Sequence, residues 1–287
     1  MAFLFVMENK HWTKEQTNIL ITYYPDNNFS LLEISELIGK PQEIVRNKAN
    51  NMKIKRRVKY KINSNYFDKI DSWEKSYIIG LLWADGHNDV LKHKITLSLQ
   101  EQDKHILDSI NAQLNHNRPL MFKPGRLAPG YKQKNKNQYV LRICDKNISK
   151  TLEGYGMNPD KTKTLEFPTC VPDQFLSAFI LGFFDGDGTI SIKDKKYNIF
   201  SICGTLNMMS HIKSVLITEC CVDDVQIRQV KSIYLITWAN KLQLQKIREF
   251  LYKDATLFLT RKKDKFYSIK DYERKYYKNK HLHDLLQ

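Results

Sequence analysis

One stretch of nine residues occurs twice in this chain of 287, and this repeat constrains the fold more than any other feature. Residues 78–86 (IIGLLWADG) and 180–188 (ILGFFDGDG) align without a gap, with glycine at the third place and Asp-Gly at the end. Similar residue patterns follow each copy, which indicates an internal duplication. The chain is therefore predicted to contain two related halves, each built on an apolar helix that ends in an aspartate.

The residues after each copy predict the same order of elements. Alternation and helical spacing in the first half predict a strand at 94–99, a helix at 102–114, strands near 119–123 and 138–143, and a helix at 148–154. In the second half they predict strands at 189–192 and 199–203, a helix at 206–217, strands at 225–230 and 233–238, and a helix at 242–251. Each half is interpreted as α-β-β-α-β-β-α, so the predicted fold class is α+β.

Small residues in the two motifs predict how their helices pack. Gly80 with Ala84, and Gly182 with Gly186, are i, i+4 pairs that place small side chains on one face of each helix. Helices paired along these faces would end at the same level, so Asp85 and Asp187, the last motif aspartates, would emerge side by side. Adjacent carboxylates repel unless a cation or a proton lies between them, and oxygen ligands favour Mg²⁺ or Mn²⁺. The spacing thus predicts a site for metal-assisted phosphodiester hydrolysis. The alternative is a pair of buried interface helices that end in Asp-Gly turns and carry no chemistry.

The charge balance points to a polyanionic partner. Lys and Arg total 46 against 31 Asp and Glu, which gives a net charge of +15. The longest apolar run, 178–184, is far shorter than the ~20 residues that span a membrane. The five cysteines are odd in number and lack metal-ligand spacing, so we expect reduced thiols in an intracellular protein.

Residues 1–58 carry a helix-turn-helix pattern. Three short helices are predicted at 12–24, 31–38 and 42–52, with a capping box at Ser30 and Glu33 and a turn at 39–40. In the third helix Ile44, Val45 and Ala49 are predicted to point inward, and its polar and basic face is predicted to contact DNA through Arg46, Asn47 and Lys48. An ordinary three-helix cap with a solvated face is the alternative.

The two motifs, their spacing and the order of elements resemble the LAGLIDADG homing endonucleases in their two-repeat, single-chain form, over about residues 70–265. The resemblance implies two pseudo-symmetric repeats that form a DNA-binding saddle. It also implies a monomer that cuts both strands of a long double-stranded DNA site with Mg²⁺ (or Mn²⁺). Asp85 and Asp187 are implied to be catalytic metal ligands, and the carbonyls of Ala84 and Gly186 to be supporting ligands.

The resemblance also implies a basic residue near each metal site. Lys161 is the best match in the first half, where Lys163 competes with it, and Lys262 is the choice in the second half. Each could instead be a solvated surface lysine. The chain departs from the family pattern at Trp83, where the second copy has Asp185; this position lies at the helix interface and is not the metal aspartate.

The outward faces of the sheets are predicted to contact base edges in the DNA. Arg, Lys, Gln and Thr suit such contacts, although a solvent-facing polar sheet has the same pattern. The predicted base contacts are Lys94, Thr96, Ser98, Gln138, Arg142, Gln226 and Arg228. The basic segment between the first-half strands is predicted to reach phosphates through Lys123, Arg126, Lys132, Lys134 and Lys136.

These patterns predict five segments and leave more than one function open. The predicted segments are the helix-turn-helix module (1–58), a linker (59–69), two repeats (70–166 and 167–265) and a basic, aromatic extension (266–287), which is either a DNA-contacting arm or an extra helix. A homing endonuclease, intron-borne or free-standing, is the first interpretation. An RNA-splicing maturase or a catalytically idle DNA-binding regulator on the same fold is the alternative, and the presence of both aspartates argues against the regulator.

Overall fold

The fold is taken from a computed structural model. It describes residues 11–26, 29–55, 60–127, 134–159, 164–193 and 197–271. The chain separates into two compact units, Met1–Lys61 and Ile62–Gln287, and each has its own hydrophobic core. Across these ranges, no helix is long and apolar enough to cross a membrane.

The smaller unit is a three-helix module. Its helices are α1 (Lys14–Tyr23), α2 (Leu31–Ile38) and α3 (Gln42–Asn51). The predicted capping box at Ser30 and Glu33 is confirmed, because each side chain bonds the backbone N–H of the other residue. Gly39 ends α2 with φ of 71°, a conformation that favours glycine. These caps fix where the short helices begin and end.

Two details of this module differ from the sequence prediction. Ile44 was expected to point inward, but 45% of its surface is exposed, whereas Val45 and Ala49 are fully buried. The buried stripe of so short a helix follows the i, i+4 pair, and Ile44 lies beside that stripe. In addition, α1 begins after Trp12, which packs against the core from outside the helix.

The larger unit confirms the predicted α+β fold with two matching halves. The first half comprises α4 (Trp73–Asp85), β1 (Gly86–Asp89), β2 (Lys94–Gln100), α5 (Lys104–Gln113), β3 (Met121–Lys123), β4 (Gln138–Cys144) and α6 (Lys146–Gly154). The second comprises α7 (Leu176–Asp187), β5 (Gly188–Lys193), β6 (Tyr197–Gly204), α8 (Leu206–Cys220), β7 (Arg228–Val230), β8 (Ile233–Trp238) and α9 (Lys241–Tyr252). One more helix, α10 (Thr260–Tyr267), follows. The antiparallel sheets have the equivalent orders β1-β2-β4-β3 and β5-β6-β8-β7.

Some element boundaries were misplaced by the sequence prediction. The strand expected at 225–230 is shorter, because only Arg228–Val230 pair with β8, while Val225 and Ile227 pack against the core instead. Within the segment predicted as a linker, Tyr66 and Phe67 are buried in the larger core. The C-terminal extension begins inside α10, and residues 272–287 lie outside the described residues.

The two motif helices contact each other through their backbones. A Cβ atom added at Gly80 would lie 2.0 Å from the carbonyl oxygen of Phe179, and one at Gly182 would lie 2.1 Å from that of Tyr77. Each glycine therefore lies against the carbonyl three residues before the glycine of the other helix. This reciprocal contact confirms the close packing that the small residues predict, and it sets the level at which both helices end.

We expect Gly80→Ala to destabilise the larger unit by about 3 kcal/mol or more, because the added methyl group would overlap backbone atoms that cannot move alone. Gly154→Ala is the matched control, since a Cβ there has no heavy atom within 4 Å and the residue ends α6. The control should be neutral or slightly stabilising. Urea unfolding of both variants checks the prediction, and equal stabilities would contradict the backbone contact.

Candidate active site at the paired helix ends

Each motif helix ends at its aspartate and continues directly into a sheet. Asp85 is the last residue of α4, and Gly86 begins β1 in an extended conformation; Asp187 and Gly188 repeat this arrangement between α7 and β5. Asp85 is exposed and Asp187 is half-buried. Both carboxylates thus stand at the carbonyl ends of their helices, where backbone dipoles add negative charge.

The spacing around Gly186 brings the carboxylate of Asp85 to the opposite helix. A Cβ built on Gly186 would lie 2.3 Å from Cβ of Ala84 and 3.2 Å from Oδ2 of Asp85. The Asp85 carboxylate therefore lies against the residue that immediately precedes Asp187. The structure brings together these four predicted site residues, Ala84, Asp85, Gly186 and Asp187. The resulting donors are all oxygen atoms, which suit a hard divalent cation.

The predicted metal site consists of two carboxylates with backbone carbonyls. Over the ranges that the structure covers, no group of three or more His, Cys, Asp or Glu side chains is arranged to hold a metal ion. A cation between Asp85 and Asp187 would therefore depend on backbone carbonyls, water or substrate oxygens for its other ligands. Mg²⁺ usually keeps several waters and is bound through one or two carboxylates plus substrate phosphates. The residues present fit that pattern.

Lys262 is buried beneath the end of α7. Its Nζ donates to the carbonyl oxygens of Phe184 (2.6 Å), Asp185 (2.7 Å) and Gly188 (2.6 Å). An ammonium group has three N–H donors, so these carbonyls engage all of them. Burial lowers the pKa of Lys262 to about 8, while the negative charges of Asp185, Asp85 and Asp187 act in the opposite direction. Lys262 thus holds the last turn of α7 and shares the electrostatic environment of both aspartates.

Asp185 forms a second buried contact between the helices. Its Oδ2 accepts hydrogen bonds from the hydroxyl of Tyr77 (2.7 Å) and from the backbone N–H of Leu259 (2.8 Å). Burial raises the pKa of Asp185 to about 6, although these hydrogen bonds and the charge of Lys262 lower it. At the matching place in the first half, Trp83 donates its indole N–H to the carbonyl of Glu166. The two halves are therefore supported differently at this position.

Sequence reasoning missed how α10 supports the site. Leu259, Lys262, Phe266 and Ile269 are buried at helical spacing, and this i, i+3, i+7, i+10 pattern is a signal that could have predicted the helix. The side chain of Arg261 also reaches across to the buried Asp103 of the first half, with Nε 2.9 Å from Oδ2. The segment after α9 therefore connects both halves around the aspartates.

The predicted base-contact residues lie on the open face of the first sheet or near the second. In the register of the first sheet, Thr96 is opposite Arg142 and Gln100 is opposite Gln138, whereas the alternate residues Leu97 and Leu141 are buried. Lys94 and Ser98 share the open face, and Asp89 lies 3.7 Å from Nζ of Lys94. In the second half, Arg228 belongs to β7, but Gln226 precedes that strand; both are exposed.

The basic segment between β3 and β4 lines an open pocket of about 530 Å³. The pocket is lined by charged residues predicted to contact phosphates, namely Lys123, Arg126, Lys134 and Lys136. Gly125 packs tightly against the carbonyl of Asn135, and Leu127 pairs with Lys134, so the base of the segment is a narrow hairpin. Lys132 lies outside the described residues, as do Lys161 and its competitor Lys163.

In the three-helix module, the predicted DNA-contacting residues lie along α3. Arg46 and Asn47 are exposed. Lys48 is half-buried, with Nζ 5.6 Å from the ring centre of Trp12. Lys48 therefore also contributes a cation–π contact to the module itself. Arg46 and Asn47 are the residues of this set whose side chains are more available to a partner.

Comparison with known proteins returned similar solved structures at low identity. A structure described as the homing endonuclease I-WcaI bound to its DNA recognition sequence has a TM-score of 0.48 and 13% identity, over 73% of this chain and 92% of that one. The I-LtrWI LAGLIDADG homing endonuclease bound to target DNA has a TM-score of 0.45 and 13% identity, over 69% and 89%.

The same comparison also returned the N-terminal LAGLIDADG domain of DUF199/WhiA, with a TM-score of 0.43 and 12% identity over 68% and 89% of the two chains. These similarities are to the LAGLIDADG fold family, which is the family that the two motifs resemble. No protein-family model and no curated protein matches this chain.

We expect Lys262→Met to destabilise the larger unit by about 3–5 kcal/mol, because it leaves the buried Asp185 without its counter-charge and three carbonyls without a donor. Lys265→Met, an exposed position in the same helix, should change stability by less than about 0.5 kcal/mol. Urea unfolding in the presence of EDTA measures both. A fully stable Lys262→Met protein would show that this ammonium does not support α7.

Proposed function

We propose that this protein is a site-specific DNA endonuclease of the homing type, which cuts both strands of double-stranded DNA in a reaction that depends on Mg²⁺ or Mn²⁺. The observation that carries the proposal is the pair of aspartates at the ends of two helices in backbone contact. Such packing leaves no space for a side chain at Gly80 or at Gly182. A purely structural helix pair has no need to bring two carboxylates together at its end.

The charge distribution supports DNA as the substrate. The chain carries a net charge of +15, and the pocket at the β3–β4 hairpin is lined by Lys and Arg side chains without a carboxylate. Cations at such positions replace the counterions of phosphates. Both sheets begin directly after the aspartates, so a duplex bound along them would pass the carboxylates. A long target site follows from the extent of these surfaces.

Each residue of the site has a separate proposed role. Asp85 and Asp187 would hold the cation, with the carbonyls of Ala84 and Gly186 as supporting ligands. A bound Mg²⁺ or Mn²⁺ supplies an activated water and stabilises the oxygen that leaves phosphorus. Lys262 is a positioning residue, because its three donors fix the last turn of α7 and therefore the backbone that carries Asp187. Lys161 is the basic residue that the family resemblance implies for the first half.

The single chain supplies both aspartates, so we propose that the protein acts as a monomer. The two halves of the larger unit share one core, which extends from Tyr66 to Ile269. A second copy is therefore not required to complete the site. This arrangement also allows the two halves to bind different DNA sequences, since their sheet residues are independent.

We expect Asp85→Asn and Asp187→Asn each to reduce double-strand cleavage by a factor of about 100 or more, because each removes a charge from the proposed metal site. DNA affinity should stay within about threefold, since binding depends on many phosphate contacts. Cleavage of a duplex obtained by in vitro selection, with Mg²⁺ present, measures the first effect, and fluorescence anisotropy in EDTA measures the second.

Asp173→Asn is the control for these variants, because Asp173 lies just before α7, at the end of the helix region remote from Asp187. It should cleave like the parent. Parental rates of double-strand cleavage in either motif variant would contradict the two-aspartate site. Loss of binding together with cleavage would instead indicate that the aspartates support folding.

The three-helix module should add phosphate contacts through α3. We expect Arg46→Ala to lower the dependence of log Kd on log salt concentration by about one unit. Lys14→Ala makes the same change of charge at an exposed position of α1 and should leave the slope unchanged. Anisotropy titrations of the full-length protein at several salt concentrations test this. Identical slopes of log Kd against log salt concentration for both variants would show that α3 does not contact the DNA.

A further inference from the structure

The open faces of the two sheets differ in chemistry although their topology is equivalent. On the first sheet, most side chains of this face can form directional hydrogen bonds, and its apolar members are Met121 and Val140. Its strand register places Thr96 opposite Arg142, and Gln138 opposite both Gln100 and Lys123. His87, paired with Thr96, lies on the same face. Arg and Gln can each form two hydrogen bonds to one base edge, so this face suits reading of donor and acceptor patterns.

The open face of the second sheet carries more apolar side chains than that of the first, beside the polar residues Thr189, Ser191, Ser201, Arg228 and Thr237. Phe200, Ile202, Ile236 and Trp238 are fully buried on the core side. Side chains alternate between the two faces of a strand. The residues between these four therefore lie on the opposite, open face, as do the residues of neighbouring strands that pair with those intervening residues. The apolar members of this open face are Tyr197, Ile199, Val230, Ile233 and Leu235.

Several observations show that these apolar side chains lie outside the core. Tyr197 is 68% exposed and Val230 is 46% exposed. Ile233 and Leu235 are half-buried and face Val230 and Arg228 across the strand pair. At the centre of the same face, the hydroxyls of Ser201 and Thr237 lie 3.3 Å apart and bond each other. These two hydroxyls are therefore partly satisfied within the sheet, and the apolar side chains form a patch around the β7–β8 pair.

The position of this face relative to the two aspartates indicates that DNA covers it. β1 and β5 are equivalent edge strands, and each begins directly after one of the two paired aspartates. A duplex that lies on the cationic first sheet and passes the aspartates would therefore continue onto the second sheet. Arg228 on the second face provides a cation for a backbone phosphate there. The face is thus continuous with the proposed DNA-binding surface.

We propose that the second sheet recognises its half of the target through the C5-methyl groups of thymines, whereas the first sheet recognises its half through hydrogen bonds. This inference rests on the proposed function. The thymine methyl is the apolar group that base pairs present in the major groove. An apolar side chain placed on a G·C edge would bury donors and acceptors without partners, which disfavours binding. The half-site on the second sheet is therefore rich in A·T pairs, and the complete target is asymmetric.

The test starts from duplexes that the full-length protein enriches from a randomised library in EDTA. Selection is repeated with the double variant Ile233→Ser/Leu235→Ser and with Arg142→Ala. The positions at which each variant loses base preference assign the two half-sites. Thymidine is then replaced by deoxyuridine, which lacks only the methyl group, in one half-site at a time, and Kd is measured by anisotropy.

Deoxyuridine in the second half-site should weaken binding by the parent about tenfold or more, and in the first half-site by less than about twofold. The serine double variant should bind the duplex with thymidine in the second half-site and the duplex with deoxyuridine there with equal affinity. Its thermal midpoint should stay well above the assay temperature, because both side chains are half-buried on the open face and lie outside the core.

Equal effects of deoxyuridine in the two half-sites, or a G·C-rich second half-site, would overturn the inference while leaving the proposed endonuclease intact. A library that yields no enriched sequence would overturn both. Conversion of a parental dimer to a monomer by the serine variant would show that a second copy, and not DNA, covers this face.

Discussion

The larger unit depends on a contact between two backbones. Gly80 of α4 and Gly182 of α7 each lie against a carbonyl oxygen of the other helix, so closely that no side-chain atom fits at either position. Because the contact is reciprocal, it relates the two halves by an approximate twofold symmetry and fixes the relative level of the helix ends. The position of Asp85 against Gly186 and the start of each sheet follow from it. The core then packs around this pair, with Phe179, Phe183 and Phe184 fully buried.

The two halves differ in the side chains that support the ends of the motif helices. The first half uses Trp83, whose indole bonds a backbone carbonyl, and the second half uses Asp185, which is charged and buried. A buried carboxylate is stable only with compensation, which comes from Tyr77, Leu259 and the ammonium of Lys262. Burial raises the pKa of Asp185 and lowers that of Lys262, and the opposite charge of each partner counteracts the shift. The helix α10 is thus part of the site although it follows α9, the last of the elements that the two halves have in common.

The sequence predicted most of the fold because its signals were local and periodic. Alternation at residues 94–99 and the Ser30 capping box are confirmed, and the small residues of the motifs correctly predicted the close helix pair. The prediction that Ile44 points inward was wrong because a short helix in a small module buries only a narrow stripe of its surface. The hydrogen bonds of Lys262 could not be predicted, since they join residues 74 to 78 positions apart. Long-range contacts of this kind leave no periodic signal in the chain.

The proposed function depends on a divalent cation held between Asp85 and Asp187. Mn²⁺ can be located in a crystal of the protein with its selected duplex, because it scatters X-rays anomalously. We expect an anomalous peak between the two carboxylates, and we expect this peak to be absent from a crystal of Asp187→Asn grown under the same conditions. A structure with the duplex bound along both sheets but with no manganese at either carboxylate would show that the two aspartates do not share a cation.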